Sequence, residues 1–251
     1  MKKIMILAVM ACMGLAASAQ KMSFSVGAET AHLWRGYEVA SGLITTGDVS
    51  FNAGGFQVGV WGGTGITANE ASPKNYHEFD YHIGYAAKGF SVALWDIYNF
   101  ANDKTLGGNN IFNYKKQTTG HFIDLQLGYN FAACCKVPLS LSWNTIVAGC
   151  DLDGKDGKQQ YSTYLQAAYT VYQDEHWNVT PSVGGTFKFA GENESNFYGG
   201  PNKAGFNDIR LTTTYTAKFK NGYNLPITGT AMWNPELKKG YWGLSVNLLS
   251  F

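Results

Sequence analysis

Four groups of residues in this 251-residue sequence are of types that could do chemistry. In the segment HEFDYHIGY, Glu78, Asp80 and His82 alternate with aromatic and aliphatic residues, the spacing at which a strand puts two carboxylates and an imidazole on one face. A metal ion would need all three around one point. Residues i and i+4 on a strand lie about 13 Å apart, so the outer two cannot share an ion without help from another strand. The row therefore reads as solvated charge, and no metal or other cofactor is expected. The loop DLDGKDGK offers Asp151, Asp153 and Asp156 among glycines, as a calcium loop would. Yet Lys155 stands where an EF-hand carries an acidic ligand, and Ser162 stands where its bidentate Glu belongs, so a polar turn is the expectation.

Two further groups bear on catalysis and redox chemistry. His77 and His121 fall near strand ends on outward rows, the placement a lipid hydrolase would require. Only Thr119 shares a strand face two residues away, and no G-x-S-x-G occurs, so no catalytic residue is expected. Of the four cysteines, Cys12 lies in an apolar leader, which leaves Cys134, Cys135 and Cys150. An odd number gives no fully paired framework, and about 15 residues at ~3.3 Å each separate the first two from the third. They read as small apolar residues near turns.

What positions these residues is alternation of period two, which recurs along the chain with no helical stretch and no domain linker. It predicts twelve strands: Met22 to Trp34, Leu43 to Ala53, Phe56 to Gly63, Tyr76 to Ala86, Phe90 to Phe100, Gly120 to Phe131, Pro138 to Gly149, Gln159 to Tyr172, Trp177 to Lys188, Phe206 to Phe219, Leu225 to Trp233 and Tyr241 to Phe251. Their connections alternate between short, such as Gly54-Gly55, and longer, such as Arg35 to Gly42 and Asn234 to Gly240. That parity, with aromatic residues gathered at both strand ends, predicts an all-β fold: a transmembrane antiparallel up-and-down β-barrel of about 12 strands.

Composition supports the same class. Charged residues are 15% of the chain where soluble domains carry about 25%, and aromatic residues also reach 15%, with 30 glycines. Removing Lys2 and Lys3 with the leader turns 19 basic residues into 17 against 18 acidic ones, so no field points to nucleic acid as a partner. Lipid cannot accept the charged row of each strand, which must face the lumen. The expected lumen-lining set is Glu29, Arg35, Asp48, Glu78, Asp80, His82, Asp124, Gln126, Lys188, Arg210 and Lys218. Asp96 breaks the parity of its strand, which predicts a bulge near Trp95.

At the start, Lys2 and Lys3, an apolar run from Ile4 to Leu15 and the small residues Ala17, Ser18 and Ala19 read as a secretory signal over residues 1–19, leaving 20–251 as one barrel domain. The run falls short of the roughly 20 residues of a membrane-spanning helix. At the other end, YWGLSVNLLSF must pair with the first strand to close the sheet. Trp242, Leu244, Val246 and Leu248 form its apolar row while Phe251 has the opposite parity, so a bulge near Leu248 and Leu249, or a turn of Phe251 at the rim, is expected.

Three stretches, LWRGYEVASG, GGFQVGVWGG and HEFDYHIGY, resemble the TorF-type porin family, also catalogued as Gcw conserved hypothetical proteins of Gram-negative outer membranes. The matching residues are Trp34, Arg35 and Gly36; Gly55, Phe56, Gly59 and Trp61, with a one-residue shift in spacing; and Glu78, Asp80, Gly84 and Tyr85. The resemblance covers the first third of the mature chain. It implies an outer-membrane barrel, with lipid as its surroundings. Likeness to outer-membrane barrels in general implies recognition of the C-terminal strand by assembly machinery through Phe251. Twelve strands at ~4.8 Å spacing and about 40° tilt give a backbone radius of roughly 12 Å, enough for passive diffusion of small hydrophilic solutes if no loop fills it. A lipid-modifying enzyme and a structural or adhesive barrel are the alternatives.

Overall fold

A computed structural model describes residues 21–66, 76–100, 110–155, 157–192 and 195–250. The alternating segments become β1 (Lys21–Trp34), β2 (Tyr37–Ala53), β3 (Phe56–Gly65), β4 (His77–Ala87), β5 (Phe90–Asn99), β6 (His121–Asn130), β7 (Leu139–Gly149), β8 (Ser162–Tyr169), β9 (Tyr172–Gln173), β10 (Trp177–Lys188), β11 (Ala204–Lys218), β12 (Asn224–Asn234) and β13 (Lys239–Ser250). The two-residue β9 continues β8 past Thr170 and Val171 and pairs with β10, so β8 and β9 are one stave of a closed, antiparallel 12-strand barrel. Because β1 also pairs with β13, the sheet has no free edge.

The two faces separate as the alternation requires. On β4, Tyr81 and Ile83 are 39% and 51% exposed on the outer wall, while Asp80 and His82 are 3% and 5% exposed inside. Phe24, Phe56, Phe90, Trp177 and Phe219 stand exposed at the end of the barrel where connections are short, here the turn end; Phe206, Trp233 and Trp242 do so at the loop end. Trp34 leaves this outer ring, because its side chain packs inside against Tyr198 and Phe122.

The loop-length parity needs correcting at two places. Arg35 to Gly42 is no long loop: Arg35 and Gly36 alone make the turn, with φ of 44° and 94°, and β2 begins at Tyr37. Asn234 to Gly240 likewise closes in four residues, 235–238. The strands run on where their alternation fails because β1 shifts register against β2 between Glu29 and Ala31 and again between His32 and Leu33.

Two bulge expectations separate in the same way. At the seam, Val26 faces Leu249 and Gly27 faces Asn247, leaving Leu248 as the extra residue that switches parity, the bulge being one of the two outcomes the sequence allowed. Near Trp95 there is no bulge, since β5 pairs with β4 and β6 without a shift. Trp95 points inward and stacks on His82 at 4.4 Å, so Asp96 points outward. Its charge is met there by the first residue of β6 and by the loop before it: His121 Nδ1 lies 2.7 Å from Oδ1, and the Tyr114 hydroxyl donates to Oδ2 at 2.6 Å. The leader, Asp156 and Phe251 lie outside the described residues.

Candidate functional site

The β1–β2 turn leans into the bore instead of standing above it. Positive φ at both turn positions makes a tight hairpin, and glycine at the second is needed because a Cβ on Gly36 would come within 2.5 Å of Asn207. Two buried amides hold the backbone of the tip: Asn207 Nδ2 on β11 donates to the Arg35 carbonyl at 2.9 Å, and Asn234 Nδ2 on β12 donates to the Gly36 carbonyl at 2.8 Å.

From that anchored tip the Arg35 side chain crosses to β6. Its guanidinium donates to both carboxylate oxygens of Asp124, at 3.0 and 2.5 Å, and to the Tyr198 hydroxyl at 2.9 Å. The guanidinium carbon also sits 4.5 Å from the centre of the Trp34 ring. Arg35 is 7% exposed and Asp124 not at all. Burial opposes the Arg35 charge, but Tyr198 and Asp124 outweigh it and hold the group above its ordinary range, so it is a fixed cation. Around this pair the wall residues Ile97, Phe122, Ile146 and Tyr164 pack with Tyr198, which comes from the connection between β10 and β11. The loop half of the lumen is thus filled by a salt bridge in an aromatic collar.

The other expected lumen residues form smaller networks. His82 Nε2 lies 2.9 Å from Asp48 Oδ2, and the Ser50 hydroxyl donates to the same carboxylate. Glu29 meets His32 at 2.7 Å. Glu78 accepts from Asn99 at 2.9 Å, and Asp80 accepts from the Tyr98 amide at 3.2 Å. Gln126 donates to Asp124 at 2.8 Å; Arg210 pairs with Asp208 at 2.8 Å, beside the Tyr164 hydroxyl at 2.7 Å. Lys188 is buried under the loops, donating to Gln160 at 2.7 Å, with Asp153 at 3.8 Å. Lys218 differs from the rest: it stands exposed at the turn-end rim with Glu175, 3.1 Å away.

Toward the turn end the inner row changes character. Ser23, Ser142, Thr180, Thr212, Thr214 and Thr228 are small, neutral and only half-buried, so this half is a polar vestibule open to solvent.

The aspartate loop is occupied by the protein's own donors. Asp151 accepts from the Ser162 amide and hydroxyl, both at 2.8 Å, and from Gln160 at 3.2 Å and Gln159 at 3.3 Å. Burial pushes its carboxyl above the ordinary range and these donors pull it back in part. Among the described residues, no three His, Cys, Asp or Glu side chains are grouped to hold an ion.

On the outer wall, both ring nitrogens of His121 face acceptors, Asp96 and the Ile111 carbonyl at 2.8 Å. His77 Nδ1 lies 2.8 Å from the Thr64 hydroxyl on the neighbouring strand, a cross-strand pair that inspection along single strands misses. Tyr198, Asn207 and Asn234 were missed too. The one hint was the Arg-Gly pair between two alternating runs, which a tight hairpin turn favours. No protein-family model matches the chain, and no curated protein matches it in sequence.

Proposed function

We propose that the chain is an exported outer-membrane barrel that passes small hydrophilic solutes through its lumen, gated at the loop end by the Arg35 turn. The observation that carries this reading is the pairing of a bidentate Arg35–Asp124 bridge with a vestibule of half-buried hydroxyls: a polar path leads from the turn end to a turn that crosses the bore near the loop end. In this reading the apolar outer face meets lipid, the turn end faces the periplasm, and Phe251 presents the last strand to the assembly machinery. The resemblance to TorF-type porins agrees with it. Because the turn is pinned by a buried bidentate bridge and two buried amides, the wild-type channel spends most of its time closed, unlike an open diffusion porin.

The test is fractionation followed by planar-bilayer recording. Wild-type protein recovered from the outer membrane is expected to give rare, brief openings, and Arg35→Ala to give steady conductance. Recovery as a soluble periplasmic protein would end the reading, as would Arg35→Ala protein that is folded and silent. A second reading, lipid hydrolysis at the outer wall, rests on the Thr64–His77 contact. Release of fatty acid that disappears in Thr64→Ala would establish it.

A further inference from the structure

At the turn end, β6 and β7 are joined through one helical turn, Ala132–Cys135, closed by Lys136 in the left-handed region at φ 58°. That turn puts two adjacent thiols on the surface with their sulfurs 3.0 Å apart. Each also reaches back to the Phe131 carbonyl, Cys134 at 3.4 Å and Cys135 at 3.3 Å. The third thiol, Cys150, is half-buried at the loop end of β7. Adjacent cysteines usually point apart along a chain; here the helical turn gathers both sulfurs under one carbonyl with solvent on the other side.

We propose that Cys134 and Cys135 form a redox-active vicinal dithiol, a modification site that exchanges with small or protein disulfides. The Cys134 thiolate attacks one sulfur of the incoming disulfide. That S–S bond breaks, a mixed disulfide forms on Cys134, and the first leaving thiolate departs with the electron pair. Cys135, its proton lost to solvent, then attacks the Cys134 sulfur, forming the Cys134–Cys135 bond and expelling the second thiolate. Two protein thiols are oxidised and one disulfide is reduced to two thiols. The order of attack follows from the local hydrogen bonds. The Cys135 thiol and then the Tyr129 hydroxyl favour the Cys134 thiolate and lower its pKa, while the same contact raises that of Cys135. An exposed, acidified thiol beside a resolving partner is the arrangement of a redox-responsive pair. Adjacent Cα atoms lie about 3.8 Å apart, below the usual disulfide span, so the product is strained and readily reduced. The site therefore cycles rather than locks.

The test uses folded, detergent-purified protein carrying Cys12→Ala and Cys150→Ala, which leaves Cys134 and Cys135, and an aryl disulfide that releases a coloured thiolate. Two thiolates per chain are expected, with no aryl adduct left on the peptide carrying residues 134 and 135, which becomes lighter by two hydrogens and returns to its starting mass in dilute dithiothreitol. Adding Cys135→Ser should leave one thiolate released and one adduct retained on Cys134. An aryl adduct on each cysteine of the parent protein, or no reaction at either, would overturn the proposal. Neither result depends on whether the lumen conducts.

Discussion

The two halves of the lumen are built by opposite means from the same strands. In the loop half, Arg35 with Asp124 and Tyr164 with Asp208 form two buried hydrogen-bonded pairs within an aromatic collar. In the turn half, the same inward rows continue as serine and threonine that keep contact with water. Buried charge is tolerable only when each group is paired, and removing one partner leaves the other stranded. A hydroxyl already facing water loses little when truncated. The halves should therefore differ in how much each side chain matters, although both line the same cylinder.

Arg35→Ala tests this most severely. It leaves the Asp124 charge in the collar with only the Gln126 amide to meet it and is expected to lower unfolding stability by about 3–5 kcal/mol, read as a fall in the urea midpoint of protein in vesicles. A change below about 1 kcal/mol would mean that water enters the collar freely and that the two halves are alike. Gly36→Ala keeps every charge but forces a Cβ against Asn207 at a positive φ. It should cost about 1–3 kcal/mol and also raise conductance, separating tethering of the tip from charge pairing. Thr212→Ala in the vestibule is the control with the smallest effect, expected within about 0.5 kcal/mol of wild type in the same titration. If it proved as damaging as Gly36→Ala, the turn half would be as tightly organised as the other.

Much of this arrangement was legible in the sequence, and the parts that were not share a cause. Alternation alone found every stave, and Glu78, Asp80, His82, Asp124 and Arg210, each in a row opposite apolar residues, lie on the inner face, whereas Lys218 stands at the exposed rim. It also marked the seam, where the parity conflict allowed a bulge near Leu248 and Leu249 or a turn of Phe251, and the register shift falls at Leu248. It misread the segment after Arg35, where two register shifts in β1 disturb the period that the method counts. It misread Asp96 for a subtler reason. By parity alone a carboxylate in an outward row implies a bulge, whereas His121 and Tyr114 come from outside the strand to pair with it. The plug itself was invisible, because alternation reports which wall a residue faces and not whether a turn bends across the space between walls.

The anchors of the β1–β2 tip have a consequence for the order of assembly. Arg35 meets Asp124 across 89 residues and Asn207 across 172, and Gly36 meets Asn234 across 198. None of these contacts can form while the hairpin is an isolated local element, and loop closure over such separations is unfavourable until intervening strands have already paired. Only when β13 has come round to β1 does the tip find its partners on β6, β11 and β12 in one place. The Asn207 and Asn234 anchors of the tip therefore depend on a closed ring, because with the seam open β11 and β12 would not be held beside it.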